Sequence, residues 1–132
     1  MVSSSLLNIL IVEDETLIGL DVQEGLEAAG FGALWVACPL AATALLEARH
    51  PTFAALVTDI RLGSKMTGWD VAHFARKKQD SLPVVYMSGD SAHDHDAFGV
   101  PDSVMIQKPF VIAKIVTALT ALLNRRPASP SH

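Results

Sequence analysis

Acidic residues follow two apolar runs of the sequence, and carboxylates at such positions can bind a metal ion. The run at 9–12 ends in Glu13, Asp14 and Glu15, and a second apolar run ends in Asp59. Two explanations are open for the first cluster. Acids favour helix N-termini, and carboxylates gathered at the edge of a sheet can hold a hard cation. The elements that position the acids decide between these explanations.

Two more polar residues follow apolar runs, and together with the acids they suit phosphoryl transfer. Ser88 ends "LPVVYMS", and Lys108 follows "SVMIQ". The carboxyl ends of neighbouring parallel strands meet at one edge of a sheet, where three carboxylates would repel one another without a cation such as Mg²⁺. A carboxylate oxygen can then attack phosphorus to give an aspartyl phosphate. The metal, the lysine and the hydroxyl would neutralise or bind the phosphoryl oxygens.

Alternating short and long apolar runs predict the elements that position these side chains. Near-continuous apolar runs predict strands buried on both faces of a parallel sheet, and apolar residues at helical spacing predict the connecting helices. Strands are predicted at 8–12, 33–37, 53–59, 82–88 and 103–107, and helices at 15–30, 40–49, 69–79 and 111–124. The polar stretch 89–102 predicts only a short helix. The fold class is α/β, a doubly wound five-stranded parallel sheet in the flavodoxin-like order 2-1-3-4-5 with helices on both faces.

The length and composition suit one globular domain. The 132 residues are 50% hydrophobic with a mean hydropathy of +0.34, which is enough for a substantial core. We predict one domain at 1–126, with its core at 8–124, and a disordered Pro/Ser tail at 127–132. The one cysteine, Cys38, excludes an internal disulfide and is predicted to be a small buried apolar residue.

The charge and hydropathy patterns argue against several classes of partner. The net charge is −4 and the pI about 5.6, without the basic runs typical of proteins that bind nucleic acid or anionic membranes. The N-terminal "MVSSSLLN" lacks the basic and long apolar regions of a secretory signal. No apolar stretch reaches transmembrane length. We therefore predict a cytoplasmic protein with no DNA and no membrane among its partners.

Five motifs in order resemble those of two-component response-regulator receiver domains. They are "IVEDE", "VTDIRL", "MTGWD", "YMSGD" and "QKPF", and the resemblance extends from residue 8 to about 124. Each motif alone is weak, but five in this order, most of them at predicted strand ends, are specific. The resemblance implies a single-domain receiver, either a stand-alone regulator or a receiver excised from a longer protein. Such a protein is a signalling domain that catalyses only its own phosphorylation and dephosphorylation.

The resemblance also implies roles for the residues around the proposed phosphate. Asp59 would be the phosphoacceptor. Asp14 would bind Mg²⁺ directly, Glu13 would act with it through water, and the backbone carbonyl of Arg61 would complete the protein's metal ligands. Asp59 would itself be the remaining metal ligand. These roles make Mg²⁺ the expected cofactor.

Further roles follow at the other strand ends. Ser88 would be the switch hydroxyl, Lys108 would pair with the phosphoryl group, and the Lys108–Pro109 bond would be cis. The family often has an aromatic switch residue three positions before this lysine, and here that position is Met105. Gly68 would allow the turn into the third helix.

Two charged residues flank the predicted site, each two positions after one of its residues. Arg61 stands two residues after Asp59, and Asp90 stands two residues after Ser88. We hypothesise that Arg61 and Asp90 form an ion pair over the phosphoryl group and slow its hydrolysis.

The function implied is a phosphorylation-dependent switch in a two-component system. A histidine kinase or a phosphotransfer protein would donate the phosphoryl group, and the receiver would act on a downstream protein by protein–protein contact. Receivers often dimerise through their last helices, so a homodimer is left open.

Three other functions remain open from the sequence. A phosphorylation-independent pseudo-receiver would only bind partners, and Met105 is its one partial argument. A flavodoxin-like cofactor carrier needs a phosphate-binding loop of Ser, Thr and Gly after the first strand, where this chain has "EDET". An aspartyl-phosphate phosphohydrolase usually needs a second acid where Arg61 stands. The acids, the hydroxyl and the lysine favour the phosphorylated switch over all three.

Overall fold

The computed structural model describes residues 7–48 and 52–125. The described residues form one parallel sheet in the order β2-β1-β3-β4-β5, so the predicted doubly wound fold is confirmed. The strands are β1 (Asn8–Val12), β2 (Gly32–Val36), β3 (Ala55–Asp59), β4 (Val84–Ser88) and β5 (Ser103–Gln107). The helices are α1 (Thr16–Ala28), α2 (Pro39–Ala48), α3 (Gly68–Lys78), α4 (His95–Phe98) and α5 (Ile112–Arg125), and a 3₁₀ turn spans Ala92–Asp94.

The strand register brings the predicted site residues to one edge of the sheet. Val12 at the end of β1 lies opposite Thr58 of β3, and Asp59 lies opposite Met87 of β4. Every residue of β3 and β4 is buried, as expected for central strands with helices on both faces. The residues that follow β1, end β3 and end β4 therefore share one edge.

Two layers of apolar side chains hold the helices on the sheet. One face packs against α1 and α5 through residues such as Val22 and Leu119, and the other packs against α2 and α3 through residues such as Ala42 and Val71. All four of these side chains are fully buried. Complete burial of a large aliphatic side chain stabilises a fold by about 1.5–3 kcal/mol. The buried sheet therefore holds the predicted site residues at its edge in fixed positions.

The start of α3 is fixed by a capping box in the "MTGWD" motif. The Thr67 hydroxyl accepts from the Asp70 N–H at 3.3 Å, and the Asp70 carboxylate accepts from the Thr67 N–H at 2.9 Å. This reciprocal pair satisfies two N–H groups at the helix start. The loop after β3 is thereby closed at Gly68, whose N–H donates to the carbonyl of Ile60 at 2.8 Å.

The segment between β4 and β5 contains only short helical turns, as predicted. The 3₁₀ turn Ala92–Asp94 leads directly into α4, which is four residues long. The buried Tyr86 hydroxyl of β4 accepts from the backbone N–H of Val100 at 3.1 Å, and the Tyr86 ring lies 4.6 Å from that of Trp69 on α3. The hydrogen bond ties this segment to the sheet, and the ring of Phe98 in α4, 6.1 Å from that of Trp69, ties it to α3.

Several element boundaries differ from prediction by one or two residues. The strands β3 and β4 begin two residues later than predicted, and β2 begins and ends one residue earlier. Pro83, directly before β4, has no N–H to donate to a ladder. The prediction for Cys38 is wrong, because this residue is exposed. It lies after the end of the edge strand β2 and directly before α2, where neither layer of the core covers it.

Some predictions fall on parts of the chain that the structure does not describe. The end of the second helix near His50 and Pro51, the first residues of the predicted domain and the tail at 127–132 lie outside the described residues. Within 7–48 and 52–125, none of the helices combines the length and the apolar character needed to cross a membrane.

Candidate functional site

Three acids meet where β1 and β3 end. Glu13 and Asp14 follow β1, and Asp59 is the last residue of β3. One oxygen from each carboxylate lies within 4.8 Å of the others, and among the described residues these three form the only cluster of this kind. Glu13 and Asp59 are buried, whereas Asp14 is exposed. A set of carboxylate oxygens open to solvent on one side suits Mg²⁺, which keeps several waters when bound.

Lys108 joins the acid cluster from the end of β5. Its Nζ donates to Glu13 Oε1 and to Asp59 Oδ2, each at 3.0 Å, and lies 3.8 Å from Glu15 Oε2. Burial acts to lower the pKa of Lys108, but its hydrogen bonds to the two buried carboxylates outweigh burial and raise that pKa overall. The ammonium therefore stays charged at neutral pH and compensates part of the negative charge.

Glu13 carries a buried carboxylate whose protonation is finely balanced. Its side chain is fully buried, and this desolvation raises the pKa of Glu13 to about 7. The negative charge of Asp59 also raises it, while hydrogen bonds from the Glu15 N–H at 3.1 Å and from Lys108 lower it. A cation bound beside Glu13 would favour the ionised form, since opposite charges close by favour ionisation.

The carboxylate of Asp59 is oriented from both sides. Its Oδ1 accepts from the backbone N–H of Ile60 at 2.8 Å, and its Oδ2 accepts from Lys108. Its backbone carbonyl accepts from the Thr58 hydroxyl at 2.9 Å. A Cβ at Gly68 would overlap this same carbonyl, so the start of α3 lies directly against the end of β3. The predicted turn residue Gly68 is therefore required by close approach of the two backbones.

Ser88 ends β4 on the same edge of the sheet. Its backbone carbonyl accepts from the Lys108 N–H at 2.7 Å, and the Lys108–Pro109 peptide bond is cis, as predicted. Its hydroxyl oxygen accepts from the N–H groups of Ser91 at 2.6 Å and Asp90 at 3.2 Å. The side-chain oxygen of Ser88 is thus engaged by the following loop.

The flanking residues Arg61 and Asp90 form the predicted ion pair. Arg61 Nε lies 3.2 Å from Asp90 Oδ1, and the two side chains are 75% and 59% exposed. Both residues line one open cleft together with Asp14 and Asp59 of the acid cluster. The lining residues of this cleft are Asp14, Glu15, Asp59, Arg61, Ser88, Gly89, Asp90 and Lys108. The pair therefore stands at the mouth of the site.

Met105, the position that is often aromatic in receivers, lies in the middle of β5. It pairs with Tyr86 in the β4–β5 ladder and packs, partly buried, on the core layer under α2 and α3. Its ladder partner Tyr86 is a large aromatic side chain that is fully buried. Its contact with Val100 was not predicted, because a tyrosine within an apolar strand gives no sign of the partner of its hydroxyl.

Comparison with known proteins identifies the family. Residues 9–120 match the family model described as the response regulator receiver domain, and the protein belongs to this family. The chain is 30% identical over 122 residues to the transcriptional regulatory protein QseB of Haemophilus influenzae, a match that covers 91% of this chain and 54% of that protein. It is 32% identical over 130 residues to the transcriptional activator protein IrlR of Burkholderia pseudomallei, with 95% and 54% covered.

A solved structure supports the same assignment. The response regulator receiver protein from Sinorhizobium medicae is 36% identical to this chain and superposes with a TM-score of 0.90, covering 93% of this chain and 98% of that one. The chain spans about half the length of the curated relatives it matches. The family relationship therefore concerns the receiver portion of those relatives.

Proposed function

We propose that this receiver is a phosphorylation-dependent signalling switch that accepts a phosphoryl group on Asp59 from a histidine kinase or a phosphotransfer protein. One observation carries the proposal. The Asp59 carboxylate stands at a sheet edge with the Lys108 ammonium at 3.0 Å and two further carboxylates within 4.8 Å. A nucleophile, a fixed cation and a set of metal-binding oxygens are the parts that phosphoryl transfer to a carboxylate requires.

The donor set fits Mg²⁺ as the cofactor of this reaction. Asp14, Asp59 and the backbone carbonyl of Arg61 would hold the ion directly, with Glu13 acting through water. All of these ligands offer oxygen, which Mg²⁺ prefers. Three carboxylates against one lysine leave excess negative charge for a divalent ion to balance. When bound, the ion would neutralise charge on the phosphoryl oxygens.

The chain's own residues orient the reaction. An Asp59 oxygen attacks phosphorus, a new oxygen–phosphorus bond forms, and the bond from phosphorus to the donor breaks. The electron pair of that bond leaves with the donor group, which takes up a proton. Lys108 turns from the carboxylates to the phosphoryl oxygens, where negative charge is concentrated. Hydrolysis by water reverses the modification and returns the Asp59 carboxylate and inorganic phosphate.

Ser88 would convert this chemistry into a conformational change. If the hydroxyl moves towards a phosphoryl oxygen to donate to it, Ser88 would give up the hydrogen bonds that its oxygen now accepts from the N–H groups of Asp90 and Ser91. The loop that leads into the 3₁₀ turn and α4 would then lose two hydrogen bonds that hold it to the end of β4. The surface formed by this segment, β5 and α5 changes its affinity for a downstream protein. Met105 would take the switch position that is often aromatic in the family.

The ion pair between Arg61 and Asp90 would control how long the phosphoryl group survives. The pair lines the mouth of the cleft, and water must enter there to attack phosphorus. A closed pair would limit this access. Because both side chains are largely exposed, the pair contributes little to stability, and its role would be kinetic.

The proposed partners are proteins. The downstream target would be bound by protein–protein contact, and a homodimer through the last helix stays a proposal. The relatives named as transcriptional regulators are longer than this chain, which matches only 54% of their length. Their names therefore do not assign DNA binding to the receiver, and the net charge of −4 gives no basis for it. The proposed place of action is the cytoplasm.

The test is the mass of the intact protein after incubation with acetyl phosphate and Mg²⁺. We expect one phosphoryl adduct in the wild type, none in Asp59→Asn, and none when a chelator removes the metal. The Asn variant is a matched control because it keeps the size of the side chain and removes the nucleophile. A wild type that takes up no phosphoryl group from acetyl phosphate or from a kinase domain, and binds no Mg²⁺, would instead be a phosphorylation-independent interaction module.

A further inference from the structure

The edge strand β2 ends beside the acid cluster and presents Trp35 to it. The indole Nε1–H donates to the backbone carbonyl oxygen of Glu13 at 2.8 Å. The backbone N–H of Glu13 donates to the carbonyl of Val36 at 3.1 Å. Two consecutive residues of β2 therefore hold both backbone polar groups of Glu13, although β1 has already ended at Val12.

The indole supplies a hydrogen bond that a longer β2 would otherwise make. In this parallel register Val12 pairs with Val36, so the next donor to the Glu13 carbonyl would be the N–H of Cys38. β2 ends at Val36 and α2 begins at Pro39, which turns the chain away from the sheet. A side chain from within β2 takes over the donor position.

The ring of Trp35 is held in place by α1. A Cβ at Gly19 would overlap the indole at Nε1, Cε2 and Cδ1, so the ring lies directly against the helix backbone. Only glycine leaves room for this contact. The partly buried indole thus packs against α1, and its N–H points at the residue that carries the buried carboxylate.

The position of the Glu13 carboxylate depends on the position of the Glu13 backbone. Its Oε1 accepts from Lys108 at 3.0 Å and its Oε2 from the Glu15 N–H at 3.1 Å. We propose that Trp35 is a positioning residue of the metal site, whose N–H fixes the Glu13 backbone so that its carboxylate faces Lys108 and Asp59. The consequence for metal binding rests on the proposed function, whereas the geometric part does not.

A substitution can separate the two roles of Trp35, the hydrogen bond from its N–H and the packing of its ring. Phenylalanine at position 35 would keep an aromatic ring against α1 but would offer no donor to the Glu13 carbonyl. The backbone there would then be held by one β2 hydrogen bond instead of two. Mg²⁺ demands near-ideal octahedral geometry, so a displaced Glu13 should weaken its binding.

The test compares Trp35→Phe with Trp69→Phe, which makes the same change at the other tryptophan. The Trp69 ring packs on Tyr86 under the β4–β5 segment. In the metal-free protein we expect Trp35→Phe to speed amide hydrogen exchange of Glu13 and Glu15 by about tenfold, with the central strand β3 unchanged. In a Mg²⁺ titration we expect Trp35→Phe to bind about three- to tenfold more weakly.

Each outcome decides the proposal. Unchanged exchange at Glu13 and Glu15 in Trp35→Phe would overturn it. An equal loss of Mg²⁺ affinity in both tryptophan variants would indicate a general loss of stability and would also overturn it. In the wild type, the indole N–H resonance of Trp35 should shift during the titration with the same midpoint as Mg²⁺ binding. A wild type that binds no Mg²⁺ would refute the proposed cofactor, while the exchange comparison would still decide the positioning role.

Discussion

Replacing Glu13 with glutamine should stabilise the metal-free protein at neutral and alkaline pH, although it removes a proposed metal-binding group. The reason is burial, which raises the pKa of Glu13 from 4.5 to about 7. Well below pH 4.5 the side chain is neutral in both the folded and the unfolded chain. As the pH rises towards 7, the unfolded chain releases this proton first, so stability falls across that window. Glutamine stays neutral throughout.

The size of the effect follows from the pKa. One pKa unit corresponds to about 1.4 kcal/mol, so a rise from 4.5 to about 7 is worth about 3 kcal/mol of folding free energy. The Glu13 carboxylate accepts one hydrogen bond from Lys108 and one from the Glu15 N–H. A glutamine amide has only one oxygen to accept from these two donors. A lost hydrogen bond costs about 1 kcal/mol. We therefore expect Glu13→Gln to be about 1 kcal/mol less stable than wild type at about pH 4 and about 2 kcal/mol more stable at about pH 8.

The assay is urea unfolding of both proteins in chelator across this pH range. Comparison of the two proteins removes the contribution of titrating groups that do not interact with Glu13. Adding Mg²⁺ at the alkaline end should restore stability to the wild type, because a ligand that binds only the folded state stabilises it, and should do so much less for the variant. A difference in unfolding free energy that does not change with pH would refute the balance of burial and charge described for Glu13.

Three further substitutions test other parts of the structure. Tyr86→Phe should cost about 1–2 kcal/mol by thermal or urea unfolding, because the buried N–H of Val100 loses its acceptor, and an unchanged midpoint would contradict that hydrogen bond. Gly68→Ala should cost more than about 2 kcal/mol because its Cβ would overlap the carbonyl at the end of β3, and a variant as stable as wild type would contradict the close approach. Arg61→Ala should leave the unfolding midpoint nearly unchanged but shorten the lifetime of the aspartyl phosphate, with Asp90→Ala as its matched partner. Equal lifetimes in wild type and both variants would remove the gating role.

The fold was predictable because each strand carries its own signal. The central strands are apolar except near their ends, and the acids that follow β1 and that end β3 mark where these strands stop. The first residues of β3 and β4 were predicted less accurately. Phe53 and Leu82 continue the apolar pattern, but the paired length of a strand is set by its neighbours, and β1 pairs with β3 only from Ala55 onward.

The members of the candidate site were predictable, but their contacts were not. Topology alone brings Glu13, Asp59 and Lys108 to one edge of the sheet. That Lys108 bridges two buried carboxylates depends on side-chain conformations that no spacing in the sequence records. The exposure of Cys38 and the hydrogen bond from Trp35 share another cause, since both depend on where β2 leaves the sheet.

The contact between Gly19 and the indole of Trp35 also limits how this sequence can change. Glycine within a helix costs about 1 kcal/mol relative to alanine, so an isolated α1 would gain from losing Gly19. That gain is blocked as long as the indole occupies the space. A chain evolving by single substitutions would have to lose the tryptophan before it could improve the helix. The two positions should therefore change together among close relatives, with small residues at 19 accompanying a large ring at 35.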